Sequence, residues 1–194
     1  MGDIYGGIAL TLGLALSSYG FVSYLTRNLS RSYCRGLALS TVGLLLLYIL
    51  YVWDQIWLCH WLPFSNLIVV GNLFPILTSI LAACVDRDCE NEPWRRRANL
   101  AALMGVGMFA TLAPVFGSAP QCGNAWFDGR VCLQTTDRTC TPACAATLLR
   151  GHGIDANEQE MARLCLTRRG TTWQGLYHGL RTKTAGSNWD VVVT

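Results

Sequence analysis

The residues of this 194-residue chain whose types and spacing could do chemistry lie together in Gln134-Thr-Thr-Asp-Arg-Thr-Cys140-Thr-Pro-Ala-Cys144. Pro142 marks the first position of a helix, where its missing N–H costs nothing, and Ala143-Cys-Ala-Ala-Thr-Leu-Leu-Arg150 continues it. Cys140 therefore stands immediately before a helix, where backbone N–H groups and the helix dipole stabilise a thiolate. Gln134, six residues earlier, can bring its side-chain amide to the same place. That amide and the Cys140 backbone N–H would form an oxyanion hole. The chemistry is acyl transfer, with Cys140 as nucleophile.

The surrounding sequence supplies elements to hold such a pair. Val131-Cys-Leu133 reads as a short strand, and Gly151 and Gly153 are stop signals for the helix that begins near Pro142. Asn157 followed by Glu160 is a capping box opening a second helix through Met161, Leu164 and Leu166. Gly170-Thr-Thr172 leads into a third helix, from Trp173 to about Arg181, and Trp189-Asp-Val-Val-Val193 reads as a strand.

On these residues the segment resembles the double-glycine-leader (bacteriocin-processing) cysteine peptidase domain, a compact papain-like fold. That family places a glutamine before a Cys-Gly-Pro-Ala or Cys-Gly-Ala-Ala element opening its first helix. Here Gln134 and Cys140-Thr-Pro-Ala143 stand in those places, with Thr141 for the usual glycine. The likeness continues through Gly153-Ile154 and Arg169-Gly-Thr-Thr-Trp-Gln-Gly-Leu176, and covers residues 131–193. It implies a peptide or protein substrate with a Gly-Gly-like cleavage site, Cys140 as nucleophile and Gln134 in the oxyanion hole. The family's histidine and its orienting aspartate or asparagine lie further downstream, so the resemblance implies the N-terminal half of an α+β peptidase domain. Local substitutes are poor: His152 lies 12 residues along the helix from Cys140, about 18 Å at 1.5 Å per residue. His178 falls in the third helix, and His60 in a distant loop.

Ahead of this segment the chain changes character. Overall it is 52% hydrophobic and 14% charged, against about 25% charged for a soluble domain. The apolar residues gather in four runs, at about 4–25, 37–58, 66–85 and 98–117. Each reaches the roughly 20 residues needed to cross a bilayer. Residues 1–117 are thus read as a four-helix transmembrane region and 118–194 as the partial peptidase domain. Arg27, Arg31 and Arg35 follow the first run, and Arg87, Arg95, Arg96 and Arg97 follow the third. The loop between, 54–65, has neither lysine nor arginine. By the positive-inside rule the arginine loops face the cytoplasm. The N-terminus and the second domain are then extracytoplasmic, and the resemblance implies a bacterial inner membrane. Ala101 and Gly105 have small-xxx-small spacing, but that spacing often occurs by chance in apolar helices.

The second domain holds five cysteines: Cys122, Cys132, Cys140, Cys144 and Cys165. With Cys140 as the free nucleophile, four remain for disulfides, and Cys122 with Cys132 and Cys144 with Cys165 are the expected pairs. The competing readings are an inactive peptidase-like membrane protein that binds peptides, and a zinc site on Cys140 and Cys144 with Cys132, Cys165 or His152. The latter matches no common C-x-x-C scheme. No metal or other cofactor is expected. A net charge of +3 gives no nucleic-acid footprint. No Gly-x-x-x-x-Gly-Lys-Ser/Thr loop supports ATP binding.

Overall fold

A computed structural model describes residues 2–53, 55–56, 67–70 and 72–193. The loop containing His60 lies outside them, as does residue 66, where the third apolar run begins. The chain is mostly helical and divides into two compact units: 1–53 with 69–113, and 54–68 with 114–194.

In the first unit, α1 (Gly2–Thr26) and α2 (Arg31–Tyr51) are joined by a short turn. After the four-residue α3 (Leu67–Val70) come α4 (Phe74–Asp88) and α5 (Pro93–Leu112), with a 3-10 turn at Ala113–Val115. Among the described residues, three helical stretches are long and apolar enough to cross a membrane: Ile4–Thr26, Arg31–Tyr51 and Pro93–Val115. Their outer faces carry exposed Leu, Phe and Tyr, among them Leu16, Phe21, Leu39, Leu50 and Phe109. Such faces suit lipid rather than water. α2 ends at Tyr51, short of the expected limit at 58.

The third apolar run departs from expectation. It is not one membrane-length helix: α4 has 15 residues, about 22 Å at 1.5 Å per residue, less than the roughly 30 Å hydrocarbon core. The break before it is held by side chains that replace helical backbone bonds. Asn72 Oδ1 accepts the Phe74 N–H at 3.1 Å, and the Tyr48 hydroxyl accepts the Leu73 N–H at 3.2 Å. Asn72 Nδ2 donates to the Ala110 carbonyl on α5 at 3.0 Å. Pro75 sits in the first turn of α4, where no donor is lost. This short helix packs against α1, α2 and α5, burying Thr78, Ser79, Ala82, Ala83 and Cys84.

Close approach of α4 and α5 is made at Gly107. A Cβ there would come within 2.6 Å of Thr78 Oγ1, whereas one at Gly105 would meet open space. Ala101 and Gly105, with their small-xxx-small spacing, are both exposed. Cys34, Cys84 and Cys89 are buried free thiols in this unit.

In the second unit a two-stranded antiparallel hairpin, β1 (Trp126–Phe127) and β2 (Val131–Cys132), precedes three helices. Asp128 and Gly129, both at positive φ, close the hairpin, and the Arg130 N–H donates to the Phe127 carbonyl at 3.1 Å. An Asp-Gly pair suits that geometry. Helix α6 (Cys140–Gly151) ends in a Schellman motif. Gly153 is at φ +75°, its N–H bonds Arg150, and the Ile154 N–H bonds Leu149. Helix α7 (Glu158–Leu164) is capped by Asn157, whose side chain accepts the Glu160 N–H. Helix α8 (Trp173–Thr184) is capped by Thr172, which accepts the Gly175 N–H. α7 ends two residues before Leu166, which takes the left-handed conformation at φ +54°.

The core of this unit is built of small residues: Ala143, Ala145, Ala146, Ala156, Cys132 and Cys165, with Leu149 and Met161. Two glycines of α8 lie directly against Cys165. A Cβ on Gly175 would fall 2.4 Å from the Cys165 carbonyl oxygen, and one on Gly179 would fall 2.4 Å from its Sγ. The expected strand at 189–193 is coil. Asp190 pairs with Arg181 and also accepts the Val191 N–H, while Val191 and Val193 pack on buried Tyr177. The segment is held by side chains instead of a ladder.

Gly179→Ala is expected to destabilise the protein by about 1–3 kcal/mol through overpacking. Gly151→Ala, where an added Cβ meets open space, should be neutral or gain up to about 1 kcal/mol. Thermal unfolding of the full chain in neutral detergent distinguishes them; equal midpoints would refute the close packing.

Candidate functional site

Cys140 is the first residue of α6, and its side chain is exposed. The helix begins two residues earlier than Pro142 alone suggests. Thr139 precedes it, fully buried, and makes no side-chain cap to the first turn. Its hydroxyl donates to the Thr136 carbonyl at 3.1 Å and accepts the Thr136 N–H at 3.0 Å. The first backbone N–H groups of α6 are thus left without a capping side chain. An uncapped helix start beside an exposed thiol is an electropositive spot for an anion or a developing oxyanion. The Cys140 Sγ faces the Thr141 hydroxyl at 3.8 Å.

The loop carrying Gln134 is fixed by a residue the sequence reading did not single out. Glu158, in the first turn of α7, has no solvent exposure. It accepts the Thr135 N–H on one oxygen and the Thr135 hydroxyl on the other, both at 2.6 Å. Burial pushes its carboxyl up. Hydrogen bonds, led by those from the Thr135 hydroxyl and N–H, more than offset this, leaving it below the ordinary glutamate value. Next to it, Gln159 accepts the Cys122 N–H at 2.9 Å, donates to the Pro120 carbonyl at 2.9 Å, and has its own N–H bonded to Asn124. Glu160 receives Lys183 of α8 at 2.6 Å. The first turn of α7 therefore ties the segment 120–124, the loop at 135 and α8 to one place. Gln134 itself is exposed, one residue from the anchored Thr135.

The described histidines are engaged away from Cys140. His178 is buried, with its Nδ1 at 2.7 Å from the Leu164 carbonyl. His152 follows the far end of α6 and lies against the Trp189 ring at a centroid separation of 4.3 Å. Among the described residues no histidine or carboxylate hydrogen-bonds the Cys140 thiol.

Cys122, Cys132, Cys144 and Cys165 are each free thiols in the structure. Cys144 is exposed on α6, one turn beyond Cys140, whereas Cys165 is fully buried against Gly179. Those two thiols occupy opposite environments. Burial pushes the Cys165 thiol up to about 12. Cys122 and Cys132 are also raised, first by burial and then by the Glu158 carboxylate. Among the described residues no group of three His, Cys, Asp or Glu side chains converges as metal ligands.

No family model, curated protein or solved structure matches the chain.

Two outcomes follow from these environments. Iodoacetamide at pH 8 is expected to label Cys140 and Cys144 in the native protein and to reach Cys165 only after denaturant; peptide mapping by mass spectrometry reads this. Because the folded Glu158 carboxyl is depressed, its stabilisation is present above the unfolded value of about 4.3. It is lost as pH falls through the lower folded value. Glu158→Gln should cost about 1.5–3 kcal/mol at pH 7, and the gap to the parent should narrow below about pH 4. Urea unfolding across pH 3–7 checks it, and a gap independent of pH would refute the assignment.

Proposed function

We propose that the chain is a membrane-anchored cysteine peptidase, or part of one, of the type that processes double-glycine leaders. The observation that carries the reading is an exposed Cys140 thiol at an uncapped helix start, with Gln134 on an anchored loop just ahead of it. In the proposed reaction the Cys140 thiolate attacks the scissile carbonyl carbon, forming a C–S bond as the carbonyl electron pair moves onto oxygen. Gln134 and the Cys140 N–H donate to that oxyanion. Collapse expels the amine product, which takes up a proton, and water then hydrolyses the thioester. The substrate is a peptide with small residues before the cut.

In this reading residues 118–194 form the first part of a papain-like domain, and a base supplied from outside the described residues completes it. The membrane region would carry the broken α3–α4 run as its fourth crossing. The two arginine loops meet in the first unit, where Arg87 donates to the Arg27 carbonyl and Arg35 pairs with Asp88. That meeting supports placing both on one side of the bilayer, the cytoplasmic side by the positive-inside rule. The peptidase domain would then lie outside.

The second reading, a peptide-binding protein without activity, is favoured by the engagement of His152 and His178 away from the thiol. The two readings separate on reactivity. If the peptidase reading holds, a thiol-reactive peptide probe labels the full chain at pH 6, well below the ordinary thiol value of about 8.5. Cys140→Ala abolishes the label, and Gln134→Ala lowers cleavage of a Gly-Gly peptide by about 10²–10³. Labelling confined to alkaline pH, or indifferent to Cys140→Ala, would leave only the binding reading.

A further inference from the structure

The first unit contains a cavity that the proposed peptidase chemistry does not use. It has a volume of about 370 Å³ and lies at the end of the bundle where α1 and α4 finish and α5 begins. Arg27, Arg87 and Arg96 line it, with Asp86, Glu90 and Tyr24. Three guanidinium groups against two carboxylates leave one positive charge in excess.

The excess can be placed on particular atoms. Arg96 is paired with Asp86 through two nitrogens, and Arg87 is paired with Glu90. Arg27 has neither an ion pair nor a side-chain hydrogen bond among the described residues, although its carbonyl accepts from Arg87 at 3.1 Å. Arg87 directs its terminal nitrogens to Glu90 and to that carbonyl, yet its Nε is buried and has no partner. A buried N–H left unpaired is unfavourable, and a charged donor without an acceptor more so. The cavity thus presents an unpaired guanidinium and an orphaned guanidinium N–H on the same walls. A singly charged oxyanion would neutralise the first and satisfy the second.

The position of the cavity says what kind of anion. α1 runs for 25 residues, about 37 Å at 1.5 Å per residue, more than the hydrocarbon core. Its last turn therefore reaches headgroup depth if the helix spans. Phe21 and Leu25, one turn apart just before Arg27, are exposed at 63% and 50% and offer an apolar track leading away from the cavity. Phosphate oxygens are good partners for arginine.

We propose that this cavity is a binding site for a monoanionic phosphate group, with an anionic phospholipid headgroup as its occupant. Arg27 and the Arg87 Nε hold the phosphate, and the acyl chains lie along Phe21 and Leu25. Zwitterionic lipids are disfavoured because their ammonium or choline group would stand beside unpaired arginine.

The test uses the full chain in neutral detergent, with equal amounts of phosphatidylglycerol and phosphatidylcholine and native mass spectrometry as readout. One phosphatidylglycerol per chain is expected, at least tenfold over phosphatidylcholine. Arg27→Gln should reduce retention about fivefold or more, and Arg27→Lys should restore most of it. A parallel arm replaces the lipid with 1 mM inorganic phosphate. Retention of phosphate alone, with the same Arg27 dependence, would keep the phosphate site and reassign its source to a soluble ligand. Equal retention of the two lipids, or anionic-lipid retention unchanged by Arg27→Gln and by Arg87→Gln, would overturn the site. Both variants act outside the second unit, so loss of lipid binding is distinguishable from failure of the cysteine chemistry.

Discussion

Glu158 is the point on which the second unit turns. Its carboxylate is fully buried and, among the described residues, no cation is paired with it. It is satisfied instead by the Thr135 N–H and hydroxyl, 23 residues upstream. Hydrogen bonds to an ionised group are about twice as strong as neutral ones, and withdrawing them would leave a buried charge unpaired. Glu158 thus holds the loop at Thr135, and the next residue of that loop, Thr136, exchanges hydrogen bonds with Thr139 just ahead of α6. Neighbouring Gln159 and Glu160 extend the hold to 120–124 and α8.

The first unit meets a different constraint with related means. A helix broken inside an apolar bundle frees backbone donors that nothing apolar can satisfy. Asn72 and Tyr48 supply the missing acceptors, and Asn72 also reaches the Ala110 carbonyl of α5. At the arginine end, an ion pair between Arg96 and Asp86 joins the consecutive helices α4 and α5, and one between Arg35 and Asp88 joins α2 to α4. The short α4 is fastened at both ends by polar groups and along its length by small side chains.

Local chemistry was legible where its partners are local. The cap at Asn157, the entry through Thr172 and the stop at Gly153 each depend on residues within a turn, and each falls where the sequence places it. The long apolar α1 and α2 were legible for the same reason. The break at Asn72 was not, because an apolar run does not reveal that side chains from Tyr48 and Asn72 can replace helical bonds. Trp189-Asp-Val-Val-Val193 has strand propensity, but propensity without a neighbouring strand makes no ladder. Glu158 was overlooked beside the Asn157–Glu160 box because its partner lies 23 residues upstream. The Asp128-Gly129 turn was present in the sequence as a hairpin signal, yet only its second strand was read. Of the candidate site, the position of Cys140 at a helix start was legible; the anchoring of the loop at Thr135 by Glu158 was not.

A core made of alanine, glycine and cysteine has an unusual relation to sequence drift. In a leucine-rich interior most harmful substitutions remove volume and leave a hole. Around Cys165, where α8 approaches with Gly175 and Gly179, there is little volume to remove, and almost any exchange adds atoms where none fit. The tolerated neighbours in sequence space are therefore one-sided. Related chains that keep this packing can drift freely on the outer faces of α6 and α8, while their inner faces change only in concert, one side chain shrinking as its opposite grows.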